Sequence, residues 1–245
     1  MVQLGLCSVT FRNKTCEEII DISKESGLNF IEWGSDVHVL AGDFDRAREI
    51  RDLCKKNNIS LSYGSYFKYK DKDDFGLVLE TAQNLGAKNI RVWAKRIASK
   101  DFSEVEYQRL VTDTQKYADL AAEYDINICF ENHRKTYTDT TTSAKKLLYD
   151  VSRDNVFMYW QPQAGESINE RLDAIRTLKN KLKTTHVFNW DDEFNRYPLK
   201  DAKEEWKIYA NELGCDRPYL LEFVINDDIN QFREDVKTLK EIIGG

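Results

Sequence analysis

Short apolar runs alternate with longer amphipathic stretches along the whole chain. In the longer stretches the apolar residues recur at spacings of three and four, as at Tyr117, Leu120 and Ala121, which is the pattern of a helix with one buried face. The short runs predict eight strands, at 4–11, 29–34, 60–66, 89–95, 126–133, 156–162, 183–190 and 218–224. The longer stretches predict eight helices, at 16–27, 44–58, 75–86, 104–125, 143–153, 169–180, 202–214 and 229–243.

This order predicts one α/β domain over residues 1–245, a single (β/α)8 TIM barrel. Eight strands, each followed by a helix, in about 250 residues is what a closed parallel barrel requires. Three of the helical segments end in glycine, and none of the three prolines lies inside a helical pattern. An open doubly wound sheet is the alternative. It usually carries a glycine-rich phosphate turn after its first strand, and that turn is missing here.

Composition narrows the function classes. The chain has 245 residues, of which 41% are hydrophobic and 32% charged, as in globular proteins of the cytoplasm. No apolar stretch reaches the length of a membrane span, and the start lacks the features of a secretory signal. A net charge of -6 disfavours a nucleic-acid partner. Five scattered cysteines without a CxxC pair disfavour both a disulfide framework and a thiolate zinc site. The sequence leaves a homo-oligomer open.

The alternation of side chains along each strand predicts which residues face the barrel axis. In the fifth strand Ile128 and Phe130 belong to the apolar outer face, so Glu131 and His133 point inward. The same reasoning for the other strands predicts a ring of polar side chains at the carboxyl ends, made by Glu32, Glu131, Gln161, His186 and Glu222. Active sites of TIM barrels gather at this end.

Three residues of this ring predict a metal site. Glu131, His186 and Glu222 bring two carboxylates and an imidazole together, and these groups would repel or lack partners without a cation. A divalent metal satisfies all three. The alternative for any one acid is a salt bridge to a basic neighbour. For Glu32 a salt bridge and a role in the site are equally expected, because Arg91 also points inward from the fourth strand.

The pattern resembles the xylose-isomerase-like TIM barrels, a family with many sugar isomerases and epimerases, D-tagatose/D-psicose 3-epimerase among them, and with the AP endonucleases. Glu131 in "CFENH", His186 in "THVFNW" and Glu222 in "LLEFV" match three of the four metal ligands of the sugar epimerases. The fourth ligand of those enzymes is an aspartate that ends strand six. Here "FMYWQPQAG" places Gln161 at that position, whose carbonyl can bind a hard cation but carries no charge.

The resemblance implies a metal-dependent isomerase or epimerase that acts on a ketose, an aldose or a sugar phosphate. One divalent ion (Mn, Mg, Co or Zn) is expected, with Glu131, Gln161, His186 and Glu222 as ligands. Glu131 and Glu222 would form the acid/base pair: one removes a proton next to a carbonyl, and the other returns a proton to the enediolate. The developing enolate oxygen needs positive charge nearby.

Two alternatives remain open, the first of them suggested by Gln161, and a third reading is disfavoured. The barrel could bind a sugar without catalysis, or it could be a polyol lyase or dehydratase of the same family. An AP endonuclease needs more histidines than the three in this chain.

Several further residues are predicted substrate contacts. Trp93 and Trp190 lie near strand ends, where aromatic rings can stack on the apolar faces of a sugar. His133 is expected to bind a hydroxyl or to orient Glu131. The remaining predicted contacts are Glu32, His38, Lys95 and Arg196.

Overall fold

Eight parallel strands form a closed barrel in which each strand neighbours the next in the sequence, and the first strand pairs with the last. The computed structural model describes residues 2–70 and 73–244. In these ranges the strands are β1 Leu4–Cys7, β2 Phe30–Gly34, β3 Ser60–Gly64, β4 Asn89–Val92, β5 Asn127–Glu131, β6 Val156–Trp160, β7 Leu182–Val187 and β8 Tyr219–Leu221. The predicted (β/α)8 barrel is confirmed.

A helix follows every strand and packs on the outside of the barrel. The helices are α1 Cys16–Glu25, α2 Phe44–Lys56, α3 Phe75–Leu85, α4 Glu104–Ala122, α5 Thr141–Val151, α6 Ile168–Leu178, α7 Lys203–Leu213 and α8 Ile229–Gly244. Several begin with reciprocal side-chain caps, such as Ser103 with Glu106 at α4, which satisfy the free N–H groups of the first turn. No helix in the described part of the chain is long and apolar enough to cross a membrane.

The main hydrophobic core lies between the strands and the surrounding helices. Trp33 and Trp160 belong to this layer, as their outward direction on the strands predicts, and both are almost fully buried. Trp160 meets Trp206 of α7 edge-on, with ring centroids 6.0 Å apart. Because the outward faces are filled by apolar side chains, the polar side chains of the strands are left to the barrel interior.

The first predicted strand is wrong beyond Cys7, where residues Ser8–Phe11 form a 3-10 helix instead. Side-chain hydrogen bonds to other strand ends hold this turn. The Ser8 hydroxyl accepts from the backbone N–H of Gly34 at 2.9 Å, and the Thr10 hydroxyl accepts from that of Phe223 at 3.0 Å. These bonds tie the mouth of β1 to the mouths of β2 and β8.

The fourth and eighth strands are also shorter than predicted. β4 ends at Val92 and β8 ends at Leu221, and left-handed backbone follows each of them, with φ of 60° at Lys95 and 54° at Phe223. This conformation ends the extended chain. The alternation rule therefore no longer gives the direction of side chains from Lys95 and from Phe223 onward.

Candidate metal and active site

A cavity of about 710 Å³ opens at the carboxyl ends of the strands. Its wall includes Glu131, Gln161 and Glu222 together with many aromatic side chains from the strand-to-helix loops. The volume lies in the range of small-molecule sites. Charged and aromatic side chains both contribute to the wall.

The four predicted metal ligands meet at the floor of this cavity. One ligand atom each from Glu131, His186 and Glu222 lies within 4.8 Å of the others. Nδ1 of His186 is 3.4 Å from Oε2 of Glu222 and 3.2 Å from Oε1 of Gln161. The amide nitrogen of Gln161 donates to Oε1 of Glu131 at 3.3 Å and to the carbonyl of Asn132 at 2.8 Å. These bonds turn the Gln161 carbonyl oxygen toward the histidine.

Arg91 fixes the position of two buried carboxylates. Its Nε donates to Oε1 of Glu32 at 2.8 Å, and its Nη1 donates to Oε2 of Glu131 at 2.5 Å. The indole N–H of Trp93 donates to the same Glu131 oxygen. The other oxygen of Glu131 therefore faces Gln161 and the proposed ligands. Although burial opposes ionisation, the Arg91 guanidinium lowers the pKa of both Glu32 and Glu131.

A glycine makes room for this ion pair. A Cβ atom at Gly64 would lie 2.7 Å from Oε1 of Glu32 and 2.9 Å from Nη2 of Arg91. Both distances are shorter than van der Waals contact. The absence of a side chain on β3 at this position lets the guanidinium and the carboxylate meet inside the barrel.

His186 is completely buried and, within the described ranges, is the one predicted ligand that does not line the cavity. Its second ring nitrogen, Nε2, is 3.7 Å from Oε1 of Glu32 and has no hydrogen-bond partner in the described ranges. Burial opposes protonation of the ring, whereas Cys7 and Glu222 beside it favour protonation, and the pKa of His186 is raised. Because burial raises the pKa of the Cys7 thiol to about 12, this thiol is uncharged near neutral pH.

The donor set of this site fits a divalent cation. Three buried carboxylates, Glu32, Glu131 and Glu222, face one buried guanidinium, Arg91, so negative charge remains for another cation to balance. Carboxylate oxygens, an amide carbonyl and an imidazole nitrogen are ordinary ligands of Mn, Mg, Co or Zn ions. The uncharged Gln161 oxygen makes the set weaker than one with a third acid.

Three of the predicted substrate contacts lie in the cavity wall: Trp93, His133 and Trp190. The rings of Trp93 and His133 are stacked, with centroids 4.5 Å apart, and Nδ1 of His133 is 2.6 Å from the carbonyl of Arg134. Glu131 is therefore oriented by Arg91 and Trp93, and no hydrogen bond between His133 and Glu131 is found in the described ranges. Glu32 takes the alternative foreseen for it, a salt bridge to Arg91.

The structure does not bring His38, Lys95 and Arg196 to the cavity, whose wall in the described ranges contains none of them. His38 is buried, and its ring nitrogens lie 2.9 Å from the Ser8 hydroxyl and 3.2 Å from the Lys14 carbonyl. Arg196 makes an ion pair with Asp227 at 2.6 Å. Lys95 lies beyond the shortened β4 at a positive φ of 60°, where the alternation of side chains along a strand no longer applies.

Other residues of the cavity wall were not predicted. Tyr66, Phe188 and Phe223 follow the ends of β3, β7 and β8 and line the cavity. Arg12, after the 3-10 helix at β1, also lines it and donates to the Tyr66 hydroxyl at 2.8 Å. The available signal was position, because Tyr66, Phe188 and Phe223 lie just beyond a strand at the end where ligands bind in this fold.

Comparisons with known proteins agree with the barrel fold. A family model described as "Xylose isomerase-like TIM barrel" matches residues 20–241. No curated protein matches the sequence. A probable 3-DHS dehydratase, AsbF, from Bacillus anthracis superposes with a TM-score of 0.84 at 18% identity, covering 98% of this chain and 99% of that one.

Two further solved structures show the same fold. D-psicose 3-epimerase with D-tagatose from Clostridium cellulolyticum has a TM-score of 0.74 at 14% identity, and the match covers 98% of this chain and 99% of the epimerase. A xylose isomerase-like TIM barrel protein from Mycobacterium smegmatis in complex with magnesium has a TM-score of 0.70 at 14% identity, with coverage of 99% and 98%. Identities this low show a shared fold and do not transfer a substrate.

Proposed function

This chain belongs to the xylose isomerase-like TIM barrel family, and on that basis we propose that it is a metal-dependent isomerase or epimerase of a ketose, an aldose or a sugar phosphate. The observation that carries the proposal is the convergence of Glu131, His186 and Glu222 within 4.8 Å at the cavity floor. Gln161 joins them through an oxygen 3.2 Å from the histidine. Each residue comes from a different strand of the second half of the barrel.

The site has two groups of residues: the ligands that would bind the ion, and the residues that fix the orientation of those ligands. Glu131, Gln161, His186 and Glu222 would hold one divalent cation, and bonds from Arg91, Trp93 and the Asn132 carbonyl fix the first two. When bound, the cation supplies positive charge to the substrate oxygens beside the carbon that loses its proton. The same bonds preorganise the ligands, so little rearrangement is needed when substrate arrives.

Glu131 and Glu222 are the proposed proton carriers. Both carboxylates line the cavity, and they reach it from β5 and β8, on different sides of the barrel axis. A carbon held between them can lose a proton to one carboxylate and receive a proton from the other on its opposite face, which inverts its configuration. In an isomerisation the enediolate instead receives the proton at the former carbonyl carbon, and the hydroxyl proton passes to the former carbonyl oxygen. Both side chains are at least nine-tenths buried, and both line the cavity.

Solvent deuterium exchange tests this proposal directly. The protein is incubated in D2O with a panel of ketoses, aldoses and their phosphates, with Mn, Mg, Co or Zn added, and deuterium in the recovered sugars is measured by mass spectrometry. We expect exchange in at least one sugar, and a loss of at least about 100-fold in the Glu131→Gln and Glu222→Gln variants. The exposed Glu123→Gln substitution serves as a matched control and retains the wild-type rate. Full turnover in either site variant refutes the acid/base roles.

Dehydration of a polyol is the second candidate. The structure of the probable 3-DHS dehydratase superposes with a TM-score of 0.84, which is higher than the 0.74 of D-psicose 3-epimerase. Elimination of water also begins with removal of a proton next to a carbonyl, so the same carboxylates serve. The exchange experiment separates the two reactions, because a dehydratase yields a product lighter by one water, whereas an epimerase returns deuterated sugars of the original composition.

A further inference from the structure

The two ring nitrogens of His186 have different neighbours. Nδ1 lies among the proposed metal ligands, 3.2 Å from Oε1 of Gln161 and 3.4 Å from Oε2 of Glu222. Nε2 lies 3.7 Å from Oε1 of Glu32, which belongs to β2 on another side of the barrel. A neutral imidazole carries one proton, so a ring that binds a metal through Nδ1 must carry its proton on Nε2.

The N–H group at Nε2 needs an acceptor inside the protein, because His186 is completely buried. Nε2 has no hydrogen-bond partner in the described part of the chain, and neither has Oε2 of Glu32. Buried donors and acceptors are nearly always paired in native structures. A ring nitrogen without an acceptor and a carboxylate with an unused oxygen are therefore neighbours in the barrel interior.

Glu32 is held in place by Arg91. Nε of Arg91 donates to Oε1 of Glu32 at 2.8 Å, and both side chains are at most 2% exposed. A carboxylate has about four acceptor positions on its two oxygens, so this bond leaves room for a second donor. Arg91 also donates from Nη1 to Oε2 of Glu131, so the guanidinium that fixes Glu131 fixes Glu32 as well.

Two other side chains adjoin the imidazole. The ring of Tyr159 packs edge-on against that of His186, with centroids 5.4 Å apart and an interplanar angle of 90°. The sulfur of Cys7 lies within 4.8 Å of the ligand atoms of Glu32 and His186. A neutral thiol is a weak acceptor, whereas an ionised carboxylate is a strong one. Glu32 is therefore the better partner for the ring N–H.

Resting on the proposed function, we propose that Glu32 is a positioning residue of the metal site. It accepts a hydrogen bond from the Nε2–H of His186, which fixes the ring and leaves Nδ1 free to bind the cation. Arg91 then orients two ligands at once, Glu131 directly and His186 through Glu32. Such a carboxylate also makes a metal-binding imidazole more basic. Glu32 is not among the described residues that line the cavity, so it acts through His186 and not by contact with substrate.

The ring N–H signal of His186 tests this contact. The chain has three histidines, His38, His133 and His186, so labelling with 15N-histidine gives only three rings to assign. Long-range 1H–15N spectra are recorded for wild type and Glu32→Gln, each metal-free and loaded with Zn, which is diamagnetic. We expect a proton on Nε2 of His186 at low field in wild type. In Glu32→Gln this signal should move to higher field, because a neutral amide replaces the carboxylate.

Zn binding by calorimetry measures what the contact contributes to the metal site. Glu32→Gln is expected to weaken Zn binding by roughly 10- to 100-fold. Cys7→Ala removes the other neighbour of the ring and is the matched control. It should keep the wild-type affinity and the low-field N–H signal.

The outcomes separate this inference from the proposed function. An unchanged His186 N–H signal in Glu32→Gln overturns the inference even if Zn affinity falls, because the loss then comes through Arg91 and Glu131. An equal loss of affinity in Cys7→Ala also overturns it. So does a wild-type Nε2–H signal at the field of an imidazole without a hydrogen bond, and this result needs no variant. Absence of Zn binding in wild type refutes the proposed function, and the metal-free spectra then still decide whether Glu32 fixes the ring.

Discussion

Arg91 holds two buried carboxylates at once, so replacing it with glutamine tests the electrostatic account of the site. The guanidinium, Glu32 and Glu131 are each at most 3% exposed, and the two ion-pair distances are 2.8 and 2.5 Å. In Arg91→Gln both acids remain inside the barrel without their cation. Removing one partner of a buried ion pair typically costs about 3–5 kcal/mol, because the other charge stays buried and unpaired. We expect a loss in this range in the free energy of unfolding at pH 7.

The stability difference between wild type and Arg91→Gln should depend on pH in a definite direction. Arg91 lowers the pKa of Glu32 and Glu131 in the folded protein, so the native state binds fewer protons than the unfolded chain. The resulting stabilisation is present above the ordinary glutamate pKa, about 4.3, and is lost as the pH falls through the lowered values. The difference in stability between wild type and Arg91→Gln should therefore be largest near neutral pH and shrink below about pH 4.

Urea unfolding followed by tryptophan fluorescence, at pH 7 and at about pH 3 in the presence of a chelator, measures both quantities. Arg233→Gln is the control, since its ion pair with Glu25 at 3.1 Å is solvent-exposed and is expected to contribute less than about 1 kcal/mol. A loss below about 1 kcal/mol in Arg91→Gln, comparable to that of the control, would refute the reasoning. So would a difference of equal size at both pH values.

Three further predictions use other features of the chain. Gly64→Ala is expected to lower the free energy of unfolding by about 1–3 kcal/mol, because its Cβ would lie 2.9 Å from Nη2 of Arg91; an unchanged urea midpoint would contradict the tight fit. Gln161→Glu adds a charge to the donor set and should tighten Mn binding by roughly tenfold in calorimetry, whereas unchanged or weaker binding would mean that this side chain is not a ligand. Cys215 is exposed and the other four cysteines are buried, so a thiol reagent should modify one cysteine in the native protein and all five after unfolding, and Cys215→Ser should abolish the native reaction.

The barrel and the floor of its cavity could be predicted from the sequence because both depend on strand periodicity. Once Phe130 is assigned to the outer layer, Glu131 must face inward, and the same rule brings His186 and Glu222 to the same end of the barrel. The sequence predicts a salt bridge from Arg91 to Glu32 alone. The second bond of Arg91, to Glu131, depends on how far a long side chain reaches across β5, and sequence periodicity carries no information about that reach.

The loop residues could not be predicted for a related reason. Positive φ at Lys95 takes the chain out of the strand, and bonds to Ser8 and Lys14 hold His38 inside the protein. Arg196 is likewise fixed by Asp227, a residue distant in sequence. Such contacts between loops depend on tertiary packing. The alternation of side chains within a strand does not predict them. Tyr66, Phe188 and Phe223 of the cavity wall were likewise not predicted as substrate contacts, whereas Trp93, His133 and Trp190 were predicted from their positions near strand ends.

Calorimetric titration of chelator-treated protein with Mn tests most directly whether β5, β6, β7 and β8 together hold one divalent cation. The account predicts a single site per chain with micromolar or tighter affinity in wild type, and loss of that binding in His186→Asn and in Glu222→Gln, while the surface variant Glu123→Gln binds as wild type does. No binding at millimolar Mn, or binding that survives both site substitutions, would contradict it and would favour a barrel that binds sugars without a metal.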